Sequence, residues 1–202
     1  MRELKLNDKN YVTVLQSALE ILRQGGTIIF PTETCYGLGA DYYDATAVGK
    51  IYQIKKREAG KPLSVLVPDL VAANYLCELS PQARSLAMQY WPGPLTLVLP
   101  FKHQHWQKHF SKLLALRVSS DHFANSLTLN LGRPLVATSA NLSGQGDIYK
   151  SREISKQFQH QKYQPDLFIN AGDLLRRRPT TIIKCTERGL EILRQGELKV
   201  TI

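Results

Sequence analysis

Thr32, Glu33, Thr34 and Cys35 stand in a row between the apolar run 27–30 and the segment Tyr36, Gly37, Leu38, Gly39. Proline at position 31 ends the run, because it has no N–H to give to a ladder. Hydroxyls and a carboxylate at the end of a buried strand can line a ligand site. The two glycines let the backbone turn tightly or approach a ligand closely. The pattern recurs down the chain. Arg117 falls near the end of an apolar run, Ser139 and Asn141 follow another, and Thr180 and Thr181 begin a third. Strand ends that carry hydroxyls, an amide and a guanidinium suggest one shared pocket. Lys55, Lys56, Arg57, Lys61, Arg117 and Arg194 supply cations suited to neutralising phosphates there. The chemistry these residue types point to is the binding of an anionic ligand.

Several other chemistries lack their residues. There is no Gly-x-x-x-x-Gly-Lys-Ser/Thr loop and no Gly-x-Gly-x-x-Gly, so neither common nucleotide-binding motif applies. Cys35 has no histidine near it in sequence and reads as a buried or lining thiol rather than a nucleophile. The three cysteines, Cys35, Cys77 and Cys185, are too sparse for a disulfide framework or a zinc site. His103, His105 and His109 cluster without a carboxylate and among Lys102, Lys108 and Lys112. That segment reads as solvated surface, and no protein metal site is expected.

These groups need a scaffold. The three- and four-residue spacing of Tyr11, Val14, Leu15, Ala18, Leu19 and Leu22 predicts a helix over 8–24, stopped by Gly25 and Gly26. Further helices are expected over 44–57, from Ser80 to about Tyr90, over 121–131 and over 151–158. Ser80 serves as N-cap of the second of these, with Pro81 at its first position. Strands are expected over 27–30, 63–67, 95–99, 114–118, 135–138, 167–170 and 180–183. A turn at 187–189 joins the last strand to 190–194 as a hairpin, so part of the sheet is antiparallel. The order of elements gives one α/β domain with a mixed sheet over 1–202.

The chain has 202 residues and a net charge of +9, which favours a polyanionic partner, either nucleic acid or a phosphorylated ligand. No apolar run approaches the ~20 residues of a membrane span. The N-terminal residues lack the apolar core of a signal peptide, and cytoplasm is the expected location.

Taken together, the motifs resemble the YrdC/TsaC family of threonylcarbamoyl-AMP synthases. The matching stretches run from Phe30 to Gly39, Lys55 to Leu63, Trp91 to Thr96, Leu116 to Val118, Thr138 to Gly144, Pro179 to Ile183 and Ile192 to Gly196. They keep the family's order and cover nearly the whole chain, at a length fitting the short bacterial form. The resemblance implies an open, twisted α/β sheet flanked by helices, with a large basic concave cavity. It implies that L-threonine, bicarbonate or CO2, and ATP give threonylcarbamoyl-adenylate and pyrophosphate, with Mg2+ on the ATP phosphates. The product would feed a downstream threonylcarbamoyl-transfer complex of the TsaD/TsaB/TsaE type that modifies tRNA. Further partners would be tRNA or double-stranded RNA.

Residue roles follow from the same resemblance. Lys55, Arg57 and Lys61 match the basic stretch that faces the phosphates and carries the catalytic charge. Arg57, Lys61, Thr96, Ser139, Asn141 and Arg194 match nucleotide-binding positions. Thr32, Arg117 and Thr180 match positions that contact the threonine substrate. Four residues depart from the family pattern: Glu58 and Ser119 where proline is common, Leu66 where some relatives have histidine, and Thr180 where serine is usual. Two rival readings remain. One is an RNA-binding protein that uses the basic concavity without turnover, perceptible as salt-sensitive RNA affinity. The other is a hydrogenase-maturation type of carbamoyl-adenylate enzyme, whose chains are far larger and carry zinc-finger-like segments.

Overall fold

Strands that alternate between two kinds of side chain set this architecture. The computed structural model describes residues 1–102, 112–187 and 189–200. His103, His105 and His109 lie outside the described residues, and so does the expected surface segment that holds them. In chain order the elements are β1 (Arg2–Lys5), α1 (Tyr11–Arg23), β2 (Ile28–Phe30), β3 (Gly37–Asp41), α2 (Ala45–Lys55), β4 (Ser64–Leu66), α3 (Leu70–Leu76) and α4 (Pro81–Tyr90). They continue with β5 (Leu95–Pro100), β6 (Leu113–Arg117), α5 (His122–Leu131), β7 (Leu135–Ser139), α6 (Ser151–Phe158), β8 (Leu167–Asn170), β9 (Thr181–Thr186) and β10 (Gly189–Arg194). The strands form one mixed sheet in the order β1-β8-β2-β3-β7-β4-β6-β5-β9-β10. The expected β9–β10 hairpin is present and antiparallel, while β1–β8, β2–β8, β4–β6 and β5–β9 are parallel.

Two cores lie on opposite faces of the sheet. In β2, Ile28 and Phe30 pack with α1 and α5, whereas Ile29 belongs to the larger core with α2, α3, α4 and α6. Likewise Leu167 and Ile169 in β8 join the first core and Phe168 the second. This two-residue alternation is what a sheet covered on both faces requires. It changes in β5, β6 and β9. Leu95, Leu97 and Leu99, then Leu114 and Leu116, then Ile183 and Cys185 fill the larger core. Their alternate neighbours Thr96, Val98, Ala115, Arg117, Ile182 and Lys184 line a cavity instead. So α1 and α5 cover one half of their face of the sheet, and the other half is left open.

Three elements escape the sequence reading. β1 is short and mostly exposed, and it carries no apolar alternation. α3 has seven residues, too few for a periodic signal. The third is a correction to one of two readings: Gly37 and Gly39, expected in a tight turn or at a close approach to a ligand, belong to strand β3, which pairs antiparallel with both β2 and β7, and Gly37 lines the cavity. Their role is clearance. A Cβ at Gly39 would stand 2.7 Å from the Phe30 ring and 2.7 Å from the Val136 carbonyl oxygen. Both atoms belong to fixed, buried neighbours. Among the described residues no helix is long and apolar enough to cross a membrane.

The Gly39 contact has a measurable consequence. Gly39→Ala forces the ring and strand apart, and overpacking of this kind costs about 1–3 kcal/mol. Urea unfolding should show a lowered midpoint with an unchanged slope, and an unchanged midpoint would contradict the clearance role.

Candidate functional site

The open half of the sheet floors a cavity of about 600 Å3. It gathers Thr32, Arg57, Thr96, Arg117, Ser139, Thr180 and Arg194, seven residues that the sequence separates widely. Each is held by its own local chemistry. Thr32 lies just beyond β2, where its hydroxyl bonds the Cys35 carbonyl at 2.6 Å and accepts from the amides of Thr34 and Cys35. Side-chain bonding of this kind folds the loop back without secondary structure. Thr96 in β5 donates to the Thr180 hydroxyl at 3.0 Å. Arg194, at the end of β10, donates through Nε to the Thr180 carbonyl at 3.0 Å and through Nη2 to its hydroxyl at 2.9 Å. Thr180 therefore fixes the arginine head against the sheet.

Arg117 closes β6 and is 7% exposed. Its Nη1 stands 3.4 Å from Glu33 Oε1 and 3.4 Å from the Thr34 hydroxyl. The other Glu33 oxygen accepts a hydrogen bond from Ser119. Glu33 does not line the cavity, so it supports Arg117 from behind. Ser119, a departure from the family pattern, supplies a hydroxyl that holds this carboxylate in place. Leu66, another departure, is buried in the core with α1 and α5.

Arg57 differs from the other cations. Its Nη2 donates to the Pro62 carbonyl at 3.1 Å. Its Nε is buried and has no hydrogen-bond partner among the described residues. An orphaned guanidinium donor in a concave site fits an anionic ligand, because a buried donor left unpaired is costly.

Three predicted site residues do not line the cavity. Lys55, at the end of α2, is 2% exposed. Its ammonium donates to the Ser139 carbonyl, the Asn141 carbonyl at 2.8 Å and Asn141 Oδ1 at 2.8 Å. All three donors are engaged inside the protein, so Lys55 has none left for a phosphate. Burial, then the charge of Arg57, pushes its pKa down to about 8. Asn141 is equally engaged. Its Oδ1 also accepts from the Ser139 hydroxyl at 2.7 Å, and its Nδ2 donates to the carbonyls of Gln145 and Gly146. Lys55 and Asn141 thus shape the loop that presents Ser139. Lys61 is exposed and lies 3.0 Å from Glu58, a third departure from the family pattern. A pair so open to solvent contributes little.

Cys35 lines the cavity at 7% exposure. Burial, reinforced by the charge of Asp147, pushes its thiol up to about 12. It stays protonated at neutral pH, in keeping with a lining thiol. Sequence reasoning missed Lys184, Ser64 and Asp147, which also line the cavity. Lys184 was findable: it follows Thr180 and Ile182 at two-residue spacing on the open face of β9. Ser64 and Asp147 carry no such signal.

The Sua5_yciO_yrdC family, described as telomere recombination, matches residues 20–196. A Bacillus subtilis protein named threonylcarbamoyl-AMP synthase is 35% identical over 157 residues, 76% of this chain and 44% of its own length. The chain spans about half the length of the curated relatives it matches. Pyrococcus abyssi Sua5 complexed with L-threonine superposes with a TM-score of 0.84 at 30% identity, covering 96% of this chain and 57% of the other. Escherichia coli YciO superposes with a TM-score of 0.82 at 27% identity, covering 96% and 94%.

The Lys55 contacts predict a local titration. A neutral amine has two N–H groups for three acceptors, so the loop over 139–147 should change as pH rises through about 8. Backbone amide shifts of that loop, followed by NMR, should titrate near that value in the wild type and be flat in Lys55→Met. A wild-type loop that is flat between pH 7 and 9.5 would contradict the assignment.

Proposed function

The chain belongs to the Sua5–YciO–YrdC family, and we propose on that premise that it is a threonylcarbamoyl-AMP synthase. In this reading L-threonine, bicarbonate or CO2, and ATP yield threonylcarbamoyl-adenylate and pyrophosphate. The product would go to a threonylcarbamoyl-transfer complex that modifies tRNA. The observation that carries the reading is the orphaned Arg57 Nε in a cavity also lined by Arg117 and Arg194. The name of the Bacillus subtilis relative and the threonine carried by Pyrococcus abyssi Sua5 support the choice of substrates.

The reaction joins three substrates in two steps. The threonine amine attacks the carbon of CO2, forming a C–N bond and releasing a proton to leave a carbamate. A carbamate oxygen then attacks the α-phosphorus of ATP and displaces pyrophosphate. Negative charge concentrates at the phosphorus in the second step, and fixed guanidinium and hydroxyl donors stabilise it. Arg57 and Arg194 are the cations for the phosphates, with the hydroxyls of Thr96, Ser139 and Thr180 beside them. Arg117, braced by Glu33, suits the threonine carboxylate, next to the hydroxyls of Thr32 and Thr34. Holding three reactants in register can supply roughly 7–11 kcal/mol of the barrier, without a covalent intermediate on the protein.

The cavity lining offers one carboxylate among the described residues and no oxygen cage. Mg2+ arriving with ATP would therefore take its ligands from the substrate and water rather than from this chain, and would supply charge neutralisation of the phosphates.

Purified protein incubated with ATP, Mg2+, L-threonine and labelled bicarbonate should yield labelled adenylate and pyrophosphate, dependent on threonine. Folded protein that binds ATP yet makes no adenylate would overturn the synthase reading and favour RNA binding without turnover. Arg57→Ala should raise the KM for ATP roughly ten- to a hundredfold, the scale of one lost charge-assisted hydrogen bond. Steady-state kinetics at varied ATP would check this.

A further inference from the structure

Four cations, Arg57, Arg117, Lys184 and Arg194, line the cavity together with one carboxylate, Asp147. The Asp147 oxygens make no hydrogen bond and no ion pair with any described residue. Three of these cations are engaged elsewhere. Arg117 faces Glu33, Lys184 lies 3.2 Å from Glu191, and Arg194 is bonded to Thr180. Asp147 is nonetheless firmly positioned. On one side, Asn141 Nδ2 holds the carbonyls of Gln145 and Gly146. On the other, Ile148 is 8% exposed and its carbonyl accepts from the Tyr36 amide at 3.2 Å. A loop pinned on both sides thus holds a carboxylate at a cavity wall, where Arg194 and Lys55 feel its charge but no described residue makes a hydrogen bond or ion pair with it.

Asp147 shares the cavity lining with Arg117. Both act on the Cys35 thiol, Asp147 raising its pKa and Arg117 lowering it. One lining residue therefore feels a fixed anion and a fixed cation at once. A ligand that carries both an anionic and a cationic group matches a cavity lined by this pair, and α-amino acids are zwitterions of that kind.

We propose that Asp147 binds the ammonium group of the amino-acid substrate while Arg117 takes its carboxylate. This assignment rests on the synthase reading and adds to it the residue that selects for a free α-amine. A fixed pair of opposite charges favours a zwitterion and rejects an N-acylated analogue, which brings the carboxylate but leaves Asp147 unpaired. Asp147 is then a substrate-binding residue, and its place in the cavity holds the nitrogen that must later attack carbon.

Isothermal titration of the full chain, saturated with ATP and Mg2+ and without bicarbonate, tests the assignment with L-threonine and N-acetyl-L-threonine as probes. The wild type should bind L-threonine at least tenfold more tightly than the acetylated form. Asp147→Asn, which keeps the shape, should weaken L-threonine roughly ten- to a hundredfold and leave N-acetyl-L-threonine unchanged. Its melting temperature, taken in parallel, verifies folding, and the wild-type preference stands as evidence even if the variant does not fold. Equal affinity of wild type and variant for L-threonine would overturn the proposal alone. A variant that loses affinity for ATP with Mg2+, and not for threonine, would also overturn it, by making Asp147 a metal ligand. A wild type that binds ATP but no α-amino acid would overturn the synthase reading, and this assignment with it.

Discussion

The buried ammonium of Lys55 is the contact on which the site depends. It ties the last turn of α2 to the loop after β7 across 86 positions of sequence. A lysine is seldom this deeply buried, because taking its charge out of water is expensive unless every N–H finds an acceptor. Here two carbonyls and one amide oxygen do so. The Ser143 amide also bonds the Lys55 carbonyl at 2.8 Å, so the same residue holds the loop through its backbone. Asn141 relays the hold onward to Gln145 and Gly146. Placement of Ser139 at one end of the loop and Asp147 at the other thus derives from one lysine. Lys55 and Asn141 act mainly by organising residues that line the cavity.

Arginine heads in the cavity are braced in the same spirit. A free arginine side chain loses much rotamer entropy when a ligand fixes it. Arg117 and Arg194 are already fixed, one by Glu33 backed by Ser119, the other by Thr180 backed by Thr96. Ligand binding then meets preoriented charges, which is the condition for electrostatic stabilisation without reorganisation. The bracing residues are small and polar, and in sequence they are hard to tell from ligand contacts.

That ambiguity marks how far the sequence could be read. Long periodic elements such as α1, and the leucine-rich strands, were legible because burial on a face leaves a period. The candidate site residues came from the ordered family motifs, and seven of them line one cavity. Which motif residues face inward was not legible. Lys55 and Asn141 sit beside Arg57 and Ser139 in sequence, yet only the path of the chain decides which pair fills the loop and which lines the cavity. The glycines of β3 left a turn and a close approach equally open for a related reason. Residues with no side chain signal freedom in a turn and clearance in a strand alike, and the Phe30 ring that decides between them is a tertiary contact. Asp147 follows no hydrophobic rhythm and became visible through the walls around it.

The half-covered sheet has one further consequence. In β5, β6 and β9 the faces differ by a single step along the strand: leucines and isoleucines on one side, Thr96, Arg117 and Lys184 on the other. A slip of one residue would exchange the faces completely, putting an arginine and a lysine into the core and leucines into the cavity. Misregistered forms of these strands are therefore penalised twice, by stranded charge inside and by bare hydrocarbon outside. The demands of ligand binding and the demand for a unique fold thus reinforce each other, and the polar groups of the cavity act as proofreaders of strand pairing.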